Sequence, residues 1–386
     1  MLYRKMEKAA PELSILGFGC MRLPLKENGK IDEDQATGML RYAIDHGVNY
    51  VDTAYPYHNG ESEPFVGRAL AGGYREKVHL ATKLPSWLIK SREDMDRYLD
   101  EQLARLRTDT IDFYLLHGLI RPFWENLSAL GVTDFLDDAI ADGRIRSAGF
   151  SFHDTTKLFK EIVKGYDWTF AQIQYNFMDE HYQAGTEGLK YAAKKGLGIV
   201  VMEPIRGGLL AKDLPGISEI WQKAKVQHLP AEWALRWVWN HPEVTVVLSG
   251  MSTPEQVREN VAAAESGLPD SLTKKELSLF GKVRKEFEKR IIIPCTGCSY
   301  CMPCPHGVNI PECFEFYNRG HMYEDQEQTR QIYSMFLGGF FDGTPGYASL
   351  CQECGECEEK CPPGPPDPRE PEEGGGISRE IIWGVF

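Results

Sequence analysis

The sequence predicts an α/β chain: a (β/α)8 TIM barrel with a small, mainly helical module after it. Three observations carry this reading. Eight short apolar runs alternate with stretches of helical periodicity over roughly 250 residues, the pattern of a closed parallel barrel. The first run leads into Gly17-Phe-Gly-Cys-Met-Arg22, which does not open into a helix. A doubly wound open sheet, the alternative, would carry a Gly-rich phosphate loop at that point. Finally, nine of the ten cysteines lie between Cys295 and Cys361. That shift in composition sets a boundary, giving a barrel over 1–290, a cysteine-rich domain over 291–365 and a Pro/Gly-rich tail over 366–386.

The elements follow in order. Residues 1–12, punctuated by Pro11, read as an N-terminal hairpin or cap. Strand one is 13–19, and helix 32–46 follows, with Met39, Leu40, Ala43 and Ile44 at helical spacing. Strand two, 47–52, precedes helix 61–70, which Gly72-Gly73 ends. Strand three, 78–82, precedes helix 92–106, with Ser91 as its N-cap. Strand four is 111–116 with helix 126–142, strand five 145–150 with helix 154–164, and strand six 170–173 with helix 186–195. Strand seven, 197–202, leads through a longer insertion to helix 231–240, and strand eight, 244–248, to helix 254–265. A charged helix, 273–290, leads out of the barrel. Residues 362–376 hold six prolines and four glycines among acidic residues and read as disordered, while 377–386 is apolar enough to dock.

Composition excludes several classes. A formal net charge of -13 opposes a nucleic-acid surface, which needs a basic face. No apolar run approaches the ~18 residues of a membrane span, and the N-terminus lacks a signal peptide's apolar region. A cytoplasmic protein is expected, with no membrane or nucleic-acid partner. A disulfide-built chain would not leave 294 residues with only Cys20; clustered cysteines in such a chain point to metal.

In a barrel of this kind the active site forms at the C-terminal ends of the strands. Asp52 follows strand two, Lys83 strand three and His117 strand four, and Tyr57 lies in the loop just beyond Asp52. Each alone has a structural explanation, as a loop cap or a satisfied core residue. Four such groups at one mouth point to chemistry, because burying Lys and Asp without a task is costly.

The segments Val51-Asp-Thr-Ala54 with Tyr57, Ala81-Thr-Lys-Leu84 and Leu115-Leu-His117 resemble the active-site segments of the aldo-keto reductase family. Gly149-Phe-Ser151, Gln172-Ile-Gln-Tyr-Asn176 and Thr253-Pro-Glu-Gln-Val-Arg-Glu-Asn260 continue the likeness in family order, over roughly residues 13–265. The resemblance implies that Tyr57 protonates a carbonyl oxygen as hydride arrives from a nicotinamide. Lys83 would lower the phenol's pKa, Asp52 would pair with Lys83, and His117 would orient the carbonyl. Ser151 and Gln172 fall where the family holds the nicotinamide carboxamide, and His153 follows where many members have Asn. Met202 replaces a stacking aromatic. Gly250 and Gln256 stand where NADPH-preferring members place basic residues, with Arg258 nearby to substitute, and Asn260 matches an adenine-contacting position. The cofactor implied is NADP, or NAD.

The cysteines form two runs, Cys295-Thr-Gly-Cys298-Ser-Tyr-Cys301-Met-Pro-Cys304 and Cys351-Gln-Glu-Cys354-Gly-Glu-Cys357-Glu-Glu-Lys-Cys361-Pro. The second has the C-x2-C-x2-C-x3-C-P spacing of bacterial ferredoxins, and eight cysteines suit two 4Fe–4S clusters. Structural zinc is the other reading, although zinc ribbons pair two separated C-x2-C knuckles and do not run four cysteines together. The module resembles helical dicluster ferredoxins, since 325–336 reads as a helix between the runs. Ferredoxin logic groups Cys295, Cys298 and Cys301 with Cys361, and Cys351, Cys354 and Cys357 with Cys304. Cys313, in helix 310–317, and Cys20 read as packing residues. A barrel with this tail resembles the iron–sulfur branch of the aldo-keto reductases.

The expected function is hydride exchange between NAD(P)H and a carbonyl or alcohol, with electron transfer through two 4Fe–4S clusters. Nicotinamide moves two electrons together and clusters move one. Either the clusters are structural or regulatory, or a flavin, for which no motif is visible, or a redox partner protein splits the pair. The alternative is a non-catalytic electron-carrier or redox-sensing subunit that uses the barrel as scaffold. Aromatics at Trp87, Phe123, Trp124 and Trp221 are candidates to line the substrate pocket.

Overall fold

The computed structural model describes residues 1–295, 297–339 and 343–361. They form two compact units: Met1–Ala211 with Val226–Glu276, and Lys212–Lys225 with the chain from Leu277 onward. The second unit thus takes in part of the insertion that follows strand seven. The tail segments expected to be disordered (362–376) and to dock (377–386) lie outside the described residues.

The first unit opens with an antiparallel hairpin, β1 (Tyr3–Lys5) and β2 (Glu12–Ser14). Eight parallel strands then close into a barrel: β3 (Leu16–Gly19), β4 (Tyr50–Asp52), β5 (His79–Leu84), β6 (Ile111–Leu119), β7 (Ile145–Phe152), β8 (Phe170–Gln174), β9 (Gly198–Met202) and β10 (Val246–Ser249). Each pairs with its chain neighbour, and β10 returns to β3. Successive side chains of a strand point to opposite faces. Ala81, Phe113, Leu115, Phe170, Val200 and Val246 therefore fill the barrel interior, with Met6 and Leu13 packed into the same core.

The helices that matter for the site are α1 (Glu33–Asp45), α2 (Ser62–Ala69) and α3 (Arg92–Leu106). Ser91 caps α3 through a capping box with Asp94. The single helix expected over 126–142 is instead two, α4 (Arg121–Ala129) and α5 (Val132–Ala141). Gly131 between them adopts φ +74°, a left-handed conformation that ends one helix before the next begins. The rest of the barrel's helices are α6 (Thr156–Gly165), α7 (Gly185–Lys194), α9 (Pro230–Trp239) and α10 (Pro254–Ala263), with the short α8 (Ser218–Trp221) in the second unit.

At the N-terminal end of the strands, buried Asp112 gathers Arg75 Nη2 at 2.8 Å, the Leu80 N–H at 2.9 Å and Arg146 Nε at 3.3 Å. Burial pushes its carboxyl up, but the His79, Leu80 and Arg75 contacts outweigh this and hold it below the usual carboxylate range. A depressed carboxyl contributes stability that is present above the unfolded value, ~3.9, and is lost as pH falls through the folded one. Asp112→Asn is expected to cost about 2 kcal/mol at neutral pH. Urea unfolding should show the difference from wild type shrinking below about pH 4.

The second unit is helical: α11 (Lys274–Glu288), which begins in the barrel unit and runs into this one, α12 (Ile310–Met322), α13 (Gln326–Leu337) and α14 (Glu356–Glu359). Its core joins Val308, Ile310, Phe316, Tyr333, Leu337 and Ala348. Lys212 Nζ bonds the Tyr323 carbonyl at 3.1 Å and pairs with Asp325 at 2.9 Å, which ties the inserted segment to these helices. Among the described residues no helix is long and apolar enough to cross a membrane.

Candidate active site and cluster-binding module

Strand alternation and register bring the expected groups to one end of the barrel. Asp52 closes β4; Lys83 lies two residues beyond Ala81 on the interior face of β5; His117 lies in β6. The strands run further than the apolar runs indicated, so Lys83, His117 and Ser151 are strand residues and not loop residues. Lys83 Nζ donates to Asp52 Oδ1 at 2.7 Å and to the Thr53 carbonyl at 2.7 Å. The same ammonium lies 5.0 Å from the Tyr57 ring centroid. The Tyr57 ring meets His117 edge-on at 6.1 Å, and Trp87 lies 5.1 Å from the His117 ring.

Tyr57 is held by unusual backbone. His58, Asn59 and Gly60 follow it with φ of 53°, 55° and 88°. Left-handed φ at consecutive non-glycine residues is strained and persists only where the surroundings enforce it. Part of that enforcement is His58 Nε2, which accepts the Leu23 N–H at 3.3 Å.

The electrostatics divide the roles. Burial pushes the Tyr57 phenol above its ordinary value; Lys83 pulls it down and Asp52 pushes it up. Tyr57 therefore carries its proton at neutral pH. Burial pulls Lys83 down, but Asp52 and Tyr57 outweigh it, so the ammonium stays charged. Burial first, then Lys83 and His153, hold His117 well below its ordinary value, leaving it neutral. Its Nδ1 is buried without a hydrogen-bond partner among the described residues. The Nε2–H tautomer fits this best, because a bare acceptor costs less to bury than an unpaired donor. Cys20 is fully buried and its thiol is pushed far up by burial, then by Asp52, which makes it a packing residue.

The remaining expected residues are placed as follows. Ser151 Oγ accepts the Gly118 N–H at 2.7 Å, and Gln172 Nε2 donates to Asp52 Oδ2 at 3.0 Å. Met202 ends β9 and packs against the barrel core. Arg258 pairs with Glu255 on the exposed face of α10. Asn260 is buried and donates to Ser249 Oγ at 3.0 Å. Of the four pocket aromatics, Trp87 lies beside His117 in a ring contact. Trp124 is buried against Trp168, and Trp221 packs on Phe280 within the second unit. Buried polar groups behind β5 escaped the sequence reading. Gln102 gave the usable signal, since it interrupts the apolar stripe Met95, Leu99, Leu106 of α3.

In the second unit a cavity of about 160 Å³ is lined by Cys304, Cys351, Cys354 and Cys357, with Cys301 and Cys313 also on its wall and Val308 and Ile310 behind. The Cys301 thiol is raised by burial and then by Cys295, Cys298 and Cys361, which marks these as its neighbours. Cys313 is buried, 4.0 Å from the Tyr333 hydroxyl, and its thiol is pushed up to about 12, mainly by burial. A thiol-lined chamber with apolar walls fits an inorganic cluster.

The model of the aldo/keto reductase family matches residues 15–275, and that of the 4Fe-4S dicluster domain matches 294–364. The chain belongs to the aldo/keto reductase family and carries a 4Fe–4S dicluster domain after it in sequence. It is an oxidoreductase. It is 27% identical over 288 residues to the NADH-specific methylglyoxal reductase of Escherichia coli, covering 63% of this chain and 87% of the relative. The holo form of an aldo-keto reductase from Bacillus halodurans superposes with a TM-score of 0.62 at 28% identity, covering 73% of this chain and 96% of that one. An aldo/keto reductase from Klebsiella pneumoniae, solved with NADP and acetate, gives 0.57 at 26% identity, covering 71% and 92%.

Proposed function

We infer that the protein transfers hydride between NAD(P)H and a carbonyl or alcohol substrate in the barrel and passes electrons through two 4Fe–4S clusters in its second domain. The buried Asp52–Lys83 pair beside a protonated Tyr57 carries this reading. The surrounding residues fit a nicotinamide. Ser151 accepts from Gly118 and keeps its own hydroxyl hydrogen to give, while Gln172 gives an amide hydrogen to Asp52 and keeps its carbonyl oxygen to accept. One donor and one acceptor complement a carboxamide. Arg258 and the carbonyl oxygen of Asn260 are the proposed contacts for the adenosine end.

A reduced nicotinamide, when bound, supplies the hydride. Tyr57 gives its phenolic proton to the carbonyl oxygen as negative charge develops there, and Lys83 stabilises the phenolate left behind. Asp52 keeps Lys83 charged and aimed. His117 donates from Nε2 to the carbonyl oxygen, adding orientation without adding charge. The relatives' names suggest small 2-oxoaldehydes such as methylglyoxal as the first substrates to test, with both NADH and NADPH.

Two 4Fe–4S clusters, when bound, carry single electrons, so coupling to the barrel requires a flavin or a redox partner protein to split the hydride pair. The test is anaerobic reconstitution of the clusters, followed by NADH or NADPH with and without methylglyoxal. Nicotinamide oxidation that depends on the aldehyde is the expected result for the barrel, and bleaching of the cluster absorbance for the coupling. Aldehyde reduction with no bleaching by either nucleotide, whether or not a flavin is added, would sink the coupling and leave the reductase.

A further inference from the structure

Behind β5, on the face away from the active site, lies a buried polar network that the reaction itself does not use. Glu63, fully buried in α2, accepts from Thr82 Oγ1 at 2.6 Å and from Gln102 Nε2 at 2.5 Å, with Arg105 Nη1 at 3.5 Å. Gln102 Nε2 also reaches the backbone carbonyl of Lys83 at 3.0 Å, and its Oε1 accepts the Tyr114 hydroxyl at 2.8 Å. Gly67, one helical turn after Glu63, makes this reach feasible: a Cβ there would lie 2.6 Å from the Arg105 carbonyl oxygen, so only glycine lets α2 approach α3 this closely.

We propose that Glu63 and Gln102 are positioning residues that set the distance between Lys83 and Tyr57. The proposal rests on the hydride-transfer reading of the barrel. The connectivity argues for it. Tyr57 lies in the turn that leads directly into α2, and α2 carries Glu63. Lys83 hangs from β5, whose outward Thr82 and Lys83 carbonyl are both gripped by the Glu63–Gln102 pair. One buried carboxylate thus joins the element bearing the acid to the element bearing its cation. On the active-site face, Lys83, Asp52, Glu203 and His117 surround or act on Tyr57, and the network reaches Lys83 only at its backbone carbonyl. Its effect passes through backbone position, where small displacements at a reacting centre are costly.

The test uses the full, cluster-loaded chain. Gln102→Leu is expected to lower kcat for aldehyde reduction about thirtyfold, with the Kd for NADPH unchanged. Glu63→Gln keeps an acceptor for Thr82 and Gln102 and should restore most of the activity that Glu63→Leu loses. A readout independent of turnover is the exchange-protected ammonium resonance of Lys83 in 15N-lysine-labelled protein, identified by its absence in Lys83→Met. Gln102→Leu should shift or broaden it. Should Gln102→Leu not fold, Tyr114→Phe removes only the hydroxyl that fixes the Gln102 amide and is expected to show the same resonance change with about a threefold loss of kcat. A lowered melting temperature with wild-type kcat and an unmoved Lys83 resonance would overturn the proposal. If the wild type reduces no carbonyl, the reductase reading fails, while the resonance still decides whether the network positions Lys83.

Discussion

Lys83→Met is expected to lower kcat about a thousandfold, and it should also destabilise the barrel. The ammonium is almost wholly buried and has two short contacts, to Asp52 Oδ1 and the Thr53 carbonyl. Removing it leaves the Asp52 carboxylate inside the barrel with Gln172 as its remaining side-chain donor. Breaking one side of a buried pair costs about 3–5 kcal/mol because the other charge is left uncompensated. Removal also raises the Tyr57 phenol further, since Lys83 is what pulls it down against burial. The phenol then becomes a weaker acid towards the substrate. The two consequences separate in the double variant Asp52→Asn/Lys83→Met, which has no orphan charge. Its melting temperature should recover most of the loss while its kcat stays low. Recovery of turnover alongside stability would mean that Lys83 serves the fold and not the proton transfer.

The same pair shows how far the site was legible in the sequence. Asp52, Lys83 and His117 stood out because successive apolar runs each end on an ionisable group, and several such groups at one mouth are costly to bury without a task. The strand ends were misjudged for the same reason. Apolarity stops at Thr82, Leu116 and Phe150, but the ladder continues through Lys83, Leu119 and Phe152, because a barrel mouth tolerates polar side chains that face a site. Gly131 broke a helix whose apolar spacing runs straight across it, and only its backbone conformation reveals the break. In the network around Glu63, Gln102 alone left a trace in the apolar stripe of α3, and Glu63 itself was opaque. A buried carboxylate in a short helix looks like any surface acid until the strand behind it is in place. Trp221 illustrates a different limit: the chain order that suggested the barrel mouth does not reveal that residues 212–225 of the insertion cluster with the second unit, where Trp221 packs on Phe280.

In the second domain, Cys304→Ser and Cys351→Ser are expected to remove the same cluster, although the two residues come from different cysteine runs. The cavity wall carries Cys304 with Cys301, Cys351, Cys354 and Cys357; Cys301 feels Cys295, Cys298 and Cys361, and Cys357 feels Cys351 and Cys301. We propose that each run contributes its last cysteine to the other's group, the arrangement the C-x2-C-x2-C-x3-C-P spacing has in two-cluster ferredoxins. Iron analysis should fall from about eight to about four per chain in either variant and stay near four in the double variant. Cys361→Ser combined with Cys304→Ser should instead remove both clusters. The reduced-state EPR spectrum would show which signal each variant loses. Cys313→Ser should leave the iron content whole, because Cys313 stands outside both four-cysteine runs and packs in the helical core, 4.0 Å from the Tyr333 hydroxyl. Additive iron loss from Cys304→Ser and Cys351→Ser would refute the crossed arrangement and assign each run its own cluster. The arrangement also has a mechanical consequence. Two runs that exchange ligands cannot separate while the clusters are bound, so cluster loss should loosen the packing of Val308, Ile310 and Leu337 between them. Limited proteolysis of the apo chain should then cut between Cys304 and Cys351, where the loaded chain resists.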